Sequence, residues 1–240
     1  MNIIQRSLGH VVRQIQPGLW QITFHFPAST NCWLWQEPDG LTLIDAAHPW
    51  NAAAILAAVQ LLGQPLRRIV ITHAHPDHAG AAAELSERTS AEVYVHESEK
   101  DILAGRACMA DAPGFWPCRA ILKTGRWLGV VNPPPVERIT ALVDGQEIGR
   151  LVVVHTPGHT PGSISLWCRP AQAIFCGDNL VSSFDILHLG LPWFTLDAET
   201  RAQSLERYAP LPASLLLSGH GPVYRRENAV AEVLRLIRHN

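Results

Sequence analysis

A histidine-rich motif occupies residues 71–80, with the sequence Ile71-Thr72-His73-Ala74-His75-Pro76-Asp77-His78-Ala79-Gly80. Four side chains that can bind a metal ion fall within six positions, directly after the β-rich run at residues 68–71. A loop at a strand end can direct His73 and His75 to one ion, whereas a helix beginning near Asp77 directs Asp77 and His78 to another. Pro76 suits the first turn of that helix, because its missing N–H is not needed there. The stretch therefore predicts a metal site.

Three further candidate ligands lie in turns that follow predicted strands. They are His159 within residues 155–163, Asp178 within residues 175–178, and His220 within residues 217–222. Each stands beside glycine, which allows a positive φ and a close backbone approach, so that ligands can converge from distant strands. Burying seven such ionisable groups without a metal ion would be costly.

The ordered set H-x-H-x-D-H, then His, then Asp, then His resembles the metallo-β-lactamase superfamily, in its dinuclear hydrolase branch of glyoxalase-two-like and lactonase-like enzymes. The strand end at residues 43–45 also matches that family. The resemblance implies that His73, His75 and His159 hold one ion. It implies that Asp77, His78 and His220 hold a second ion and that Asp178 bridges the two.

The order of the predicted elements agrees with an α/β fold. The first 45 residues alternate short β-rich runs with turns, as in an antiparallel meander, and strand and helix patterns alternate after them. Residues 180–195 are predicted as a loop, and helices are predicted from Asp197 to about Tyr208 and over residues 227–238. We expect a single domain over residues 1–240, a four-layer αββα sandwich, with an inserted loop or lid at about residues 105–140.

The donor set indicates the metal and its chemistry. Imidazole and carboxylate ligands without thiolate suit zinc, iron, manganese or cobalt, and zinc is the default among them. Two bridged divalent ions can lower the pKa of a shared water from about 15.7 toward about 7, which provides hydroxide as the nucleophile. Asp77, beside the bridging position, is the candidate proton carrier.

The predicted reaction is hydrolysis of an ester, lactone or thioester of a small molecule with an apolar part. Only 20 residues follow His220, too few for the helical extension with which glyoxalase-two-like thioesterases bind glutathione. Lactonases of this family carry tyrosine where this chain has Val181. One alternative is a mononuclear iron oxidoreductase resembling persulfide dioxygenases, with His73, His75, His159 and Asp178 as ligands. Another is a non-catalytic metal-binding protein.

The sequence leaves two roles open for each of several other residues near the motifs. Asp45 either orients a ligand histidine or caps the helix that begins near Pro49. His155 and His48 are not counted as ligands. Aromatic and histidine side chains in the two irregular segments either line a substrate pocket or pack the loops. They are Phe115, Trp116, Trp127, Phe184, His188, Trp193 and Phe194.

Composition excludes several other classes of function. Hydrophobic residues make up 47% and charged residues 17% of the chain, as is usual for globular proteins, and the formal net charge of -2 leaves no basic surplus for nucleic acid. Apolar runs are too short to cross a membrane and the first residues lack a secretory pattern, so we expect a cytoplasmic monomer or homodimer. Five widely spaced cysteines without a C-x-x-C pair indicate neither a disulfide framework nor a thiolate zinc site.

Overall fold

The computed structural model describes residues 2–7, 9–26, 29–109, 132–190 and 192–239. The chain divides into two compact units. The first comprises Met1–Val95, Lys100–Cys108 and Asn132–Ala141, and the second comprises His96–Glu99, Met109–Val131 and Leu142–Asn240. The expectation of a single domain therefore stays a prediction. Most of the predicted insertion, with Phe115, Trp116 and Trp127, lies outside the described residues.

The first unit contains an eight-stranded sheet in the order of the chain. Its strands are β1 (Asn2–Arg6), β2 (His10–Gln16), β3 (Leu19–Phe24), β4 (Thr30–Glu37), β5 (Gly40–Ile44), β6 (Leu66–Ile71), β7 (Glu92–His96) and β8 (Ile139–Leu142). β1 to β5 are antiparallel, which confirms the predicted meander, whereas β5, β6 and β7 are parallel. Because β5 and β6 are parallel, Asp45 and Thr72, which follow them, lie at the same edge of the sheet.

Four helices accompany this sheet: α1 (Ala52–Leu62), α2 (Pro76–Ala79), α3 (Ala82–Thr89) and α4 (Lys100–Leu103). One face of the sheet packs with α1 and α3 in a single apolar core, to which α1 contributes Ile55 and Val59 and α3 contributes Leu85. The spacing of the buried residues in α1 is that of an amphipathic helix. This packing fixes β6, and with it the loop that carries the histidine-rich motif.

The second unit contains a six-stranded sheet in the order β16, β15, β12, β11, β10, β9. These strands are β9 (Glu147–Ile148), β10 (Leu151–His155), β11 (Ile164–Cys168), β12 (Ala173–Gly177), β15 (Leu215–Ser218) and β16 (Tyr224–Arg225). Helices α5 (Ala198–Leu205) and α6 (Ala229–Arg238) belong to this unit, and Leu205 and Val233 lie in its apolar core. The predicted N-cap is confirmed, because the Asp197 side chain accepts a hydrogen bond from Thr200 N.

The predicted loop over residues 180–195 was wrong in its first half. Residues there form a hairpin of β13 (Leu180–Ser183) and β14 (Ile186–Leu189). Its two turn residues, Phe184 and Asp185, have φ angles of 47° and 63°. Such a turn usually carries Asn-Gly, so this sequence lacks the signal that would have predicted the hairpin.

Short 3₁₀ segments complete the described structure, at Pro49–Asn51, Glu97–Glu99, Pro192–Phe194 and Glu206–Tyr208. The last of these extends α5 to the predicted end at Tyr208. Within the described parts of the chain, no helix combines the length and apolar character needed to cross a bilayer.

Candidate metal centre

The first cluster of candidate ligands lies in the loop after β6 and in the single turn of α2. His75 is the N-cap of α2 and Pro76 occupies its first position, so the helix begins inside the motif. His73 Nε2 and His75 Nδ1 are 2.9 Å apart, and the rings of His73 and His78 have centroids 4.2 Å apart. Two nitrogens on one tetrahedral zinc ion stand about 3.3 Å apart when each Zn–N bond is about 2.0–2.1 Å. His73 and His75 are therefore close enough to share one ion.

Asp45 fixes the orientation of this cluster from the neighbouring strand end. Its buried carboxylate accepts hydrogen bonds from Thr72 N at 2.8 Å, from Thr72 Oγ1 at 2.9 Å and from His78 Nδ1 at 2.9 Å. The N-cap of the segment at Pro49 is His48, so Asp45 does not cap it. Because Nδ1 of His78 donates to Asp45, its Nε2 is the ring atom that a metal ion can use. That Nε2 lies 3.7 Å from Asp77 Oδ2.

The Thr72 side chain links Asp45 to His73 through two polar contacts. The Thr72 hydroxyl donates its proton to Asp45, and its oxygen lies 3.1 Å from His73 Nδ1. The oxygen is therefore placed to accept from Nδ1–H, which leaves His73 Nε2 as a ligand atom. Sequence analysis missed this role of Thr72, although it immediately precedes the motif.

The second cluster lies at one edge of the sheet in the second unit. The loop between β10 and β11 carries His159, the turn after β12 carries Asp178, and the turn after β15 carries His220. β11 is antiparallel to β12, and β12 is parallel to β15, so these three turns share an edge. Asp178 Oδ2 lies 3.1 Å from His220 Nε2 and 3.9 Å from His159 Nε2. One carboxylate thus faces the same ring atom of two histidines.

The family of this chain is shown by its similarity to known proteins. The profile of the Metallo-beta-lactamase superfamily matches residues 25–220. The chain belongs to this superfamily. The predicted α/β fold class is thereby confirmed, as is the recognition of the family from its histidine and aspartate motifs.

Relatives of this superfamily member include hydrolases. It is 32% identical to the probable metallo-hydrolase YflN of Bacillus subtilis over 211 residues. The aligned region covers 77% of this chain and 76% of YflN. It is 30% identical over 161 residues to the hydroxyacylglutathione hydrolase of Albidiferax ferrireducens, covering 65% of this chain and 51% of that enzyme. The prediction of a metal-binding hydrolase is confirmed at this level.

A solved structure, that of TTHA1623 in a di-iron-bound form, resembles this superfamily member closely. It has 27% sequence identity, a TM-score of 0.66, and covers 88% of this chain and 94% of TTHA1623. The donor sets of the two clusters fit divalent ions, because they combine imidazole and carboxylate groups. The orientation of His78 and His73 through their Nδ1 atoms also fits metal binding through Nε2.

Asn179, which sequence analysis missed, ties the loops of two candidate ligands together. Its Nδ2 donates to Thr156 O at 2.9 Å and to Thr156 Oγ1 at 3.0 Å, and its main-chain oxygen accepts from Gly190 N. Thr156 begins the loop of His159, and Asn179 directly follows Asp178. The asparagine therefore holds these two loops in register within the second unit. Its position after the aspartate was the only sequence signal.

Two histidines that were not counted as ligands have other contacts. His155 Nε2 lies 2.9 Å from the carbonyl oxygen of Pro161, and its ring stacks on His96 with centroids 4.0 Å apart. Burial, and then the charge of His155, lower the pKa of His96 below its usual 6.5. His48 stacks on Trp50 with centroids 4.5 Å apart.

The predicted pocket residues are described only in part. Phe184 is 96% exposed at the tip of the β13–β14 hairpin, and Phe194 is also exposed. His188 Nε2 lies 2.8 Å from Ser183 Oγ on the same hairpin. The side chain of Trp193 lies outside the described part of the structure. The role of Phe184, Trp193 and Phe194 in substrate binding stays a prediction.

Proposed function

We propose that this protein is a metal-dependent hydrolase that cleaves an ester, lactone or thioester bond in a small molecule with an apolar part. The observation that carries the proposal is the position of Asp178, whose carboxylate faces Nε2 of both His159 and His220. By resemblance to the superfamily, those histidines serve different ions. A single carboxylate beside both histidines is suited to bridge the two ions.

The proposed ligands of the first ion are His73, His75 and His159. Those of the second are Asp77, His78 and His220, with Asp178 common to both ions. The bound ions would supply a nucleophile by lowering the pKa of a water and would polarise the scissile carbonyl. We propose zinc as the resident metal, and the di-iron form of TTHA1623 makes iron the first alternative to test.

The protein's own groups have distinct roles in this proposal. Asp45 and Thr72 hold His78 and His73 with Nε2 available, so the imidazoles need no reorientation before they bind. Asp77 is partly exposed and its Oδ2 is 3.7 Å from His78 Nε2. A carboxylate there can accept a proton and return it to the leaving group. The hydroxyacylglutathione hydrolase relative supports a thioester among the possible substrates.

The test is elemental analysis of the purified protein, combined with hydrolysis of a panel of lactones, esters and thioesters before and after chelation. We expect two divalent ions per chain and activity that is lost on chelation and restored by added metal. One iron per chain without a second ion would favour the oxidoreductase alternative. Hydrolysis that survives complete metal removal would refute the proposal, and a metal-loaded protein inactive on every substrate would favour a non-catalytic role.

A matched pair of variants within one loop sharpens this test. His159→Ala removes a proposed ligand, and we expect it to lower both metal content and hydrolysis. His155→Ala removes a histidine only four positions earlier, whose side chain contacts Pro161 and His96. It should retain both metal ions. Loss of metal in the His155 variant alone would show that the ligand assignment is wrong.

A further inference from the structure

Arg201 on α5 is a buried cation in the second unit, only 3% exposed. Among the described residues it forms no ion pair with a carboxylate, and burial lowers the pKa of its guanidinium. Removing a charge from water without a counter-ion is costly, so general stability does not explain an arginine at this position. The hydrogen bonds of the guanidinium indicate its role.

The Nη1 atom of Arg201 donates two short hydrogen bonds. One goes to the carbonyl oxygen of Gly190 at 2.6 Å and the other to Thr195 Oγ1 at 2.8 Å. Thr195 is itself buried, and its Oγ1 lies 3.4 Å from Nδ1 of His159. Since Arg201 only donates, the threonine oxygen is held as an acceptor whose other lone pair is available to Nδ1–H. With the proton on Nδ1, His159 presents Nε2, the atom that faces Asp178 at 3.9 Å.

The backbone around Arg201 is packed against both ligand loops. A Cβ at Gly158, which has a φ of +130°, would lie 2.2 Å from Arg201 N, and one at Gly190 would lie 1.9 Å from Asp178 O. Residue 158 directly precedes His159, so the start of α5 lies immediately against that ligand. Arg201 is hydrogen-bonded to Gly190, and Gly190 in turn packs against the main chain of Asp178. Arg201 thus contacts the supports of two candidate ligands at once.

We propose that Arg201 is a positioning residue of the metal centre, which acts through Thr195 to orient His159 and through Gly190 to fix the turn of Asp178. This inference rests on the proposed function, because it assumes that His159 and Asp178 bind metal. It assigns a role to the buried charge: the guanidinium donates through Nη1 to two acceptors, Gly190 O and Thr195 Oγ1, and holds them at a fixed distance from each other.

The test uses two pairs of variants in the full-length protein. Thr195→Val keeps the shape of the side chain but removes the acceptor, whereas Thr195→Ser keeps the hydroxyl. Arg201→Lys keeps the charge, but its amine ends one bond short of Nη1, the atom that donates to both acceptors. Zinc affinity is measured by competition with a chromophoric chelator, and the thermal unfolding of each metal-free variant is measured in parallel.

The control is Val233→Ala, because Val233 lies on α6 in the apolar core of the same unit, and its truncation leaves a cavity there without removing a hydrogen bond. We expect Thr195→Val and Arg201→Lys to weaken zinc binding by about 10–100-fold, the range for groups that orient metal ligands. Thr195→Ser should restore most of the affinity. Val233→Ala should lower the unfolding temperature while leaving zinc affinity near that of the wild type.

The outcomes separate this inference from the function on which it rests. If the wild-type protein binds no metal, the proposed function fails. If the wild type binds two ions and Thr195→Val and Arg201→Lys bind them equally well, only the role of Arg201 is refuted. It is also refuted if Val233→Ala weakens zinc binding as much as Thr195→Val does, because the loss would then follow general destabilisation.

Discussion

Replacing Asp45 with asparagine should separate the orientation of the first ligand cluster from its folding. Asp45 has a φ of 59°, a left-handed conformation that asparagine also tolerates well. The substitution preserves the size of the side chain and removes its negative charge. Alanine would be a poorer test, since a Cβ without a local hydrogen bond costs about 1–2 kcal/mol in this conformation.

The expected magnitude follows from the three hydrogen bonds that Asp45 accepts. Oδ1 accepts from Thr72 N, and Oδ2 accepts from both Thr72 Oγ1 and His78 Nδ1. An amide with its oxygen toward Thr72 N turns its NH₂ group toward His78, which must then move its own proton from Nδ1 to Nε2. The opposite orientation opposes the NH₂ group to Thr72 N–H and leaves a buried donor unsatisfied, at a cost of about 1–3 kcal/mol.

In the first orientation the proton occupies the atom that would bind the metal ion. Outer groups of this kind are typically worth about 10–100-fold in metal affinity, which corresponds to about 1.4–2.7 kcal/mol. We therefore expect Asp45→Asn to weaken zinc binding within that range in chelator competition. The metal-free protein should remain folded, as judged by its circular dichroism and its cooperative thermal transition.

Asp39→Asn is the matched control. Asp39 is an exposed aspartate that pairs with Arg68 at 2.6 Å, away from the candidate ligands in sequence. It undergoes the same chemical change, so any effect of lost charge alone should appear in both variants. If Asp45→Asn binds two metal ions with wild-type affinity, the orienting role deduced for Asp45 is wrong.

Three other changes have defined outcomes. Asp178→Ala should lower metal content and hydrolysis together, because it removes the proposed bridge; two bound ions with full activity would contradict that role. Asn179→Asp places a carboxylate oxygen against the carbonyl of Thr156, so we expect a loss of about 1–3 kcal/mol in the free energy of unfolding, measured by urea titration. Unchanged stability would show that Asn179 does not hold the two loops in register. Because burial and then the nearby His155 lower the pKa of folded His96, the unfolded chain takes up its proton first. The free energy of unfolding of the metal-free protein should therefore fall as the pH drops below 6.5, and a His96→Phe variant should show a smaller fall.

The first cluster was predictable because its information is local. The strand end at Ile71, the helix start at Pro76 and four candidate ligands between His73 and His78 lie within eight residues. Local steric rules then determine which side chains share a direction. The turns of the second cluster were found from glycine and from chain order, although the closeness of Asp178 to its two histidines depends on strand pairing that no local pattern contains.

The supporting groups of the second cluster could not be predicted in the same way. Arg201 occupies a polar position in the first half of α5, where the sequence pattern indicates solvent exposure rather than burial. Its burial results from the packing of α5 against the loop of His159, which is a long-range property. The β13–β14 hairpin was missed because Phe184 adopts a positive φ without glycine or asparagine to signal it.

The two ligand clusters are supported by groups of opposite charge, and this difference has a chemical consequence. In the first unit the anionic Asp45 accepts the proton of Thr72, which makes the threonine oxygen a better acceptor for His73 Nδ1–H at 3.1 Å. In the second unit the cationic Arg201 donates to Thr195, which makes that oxygen a poorer acceptor for His159 Nδ1–H at 3.4 Å. A histidine that donates to a stronger acceptor is the more basic ligand. His73 is therefore expected to bind a metal ion more firmly than His159. If Arg201 positions His159 and Asp178 as we propose, its contacts with Thr195 and Gly190 offset this weaker acceptor by fixing where the ligands stand.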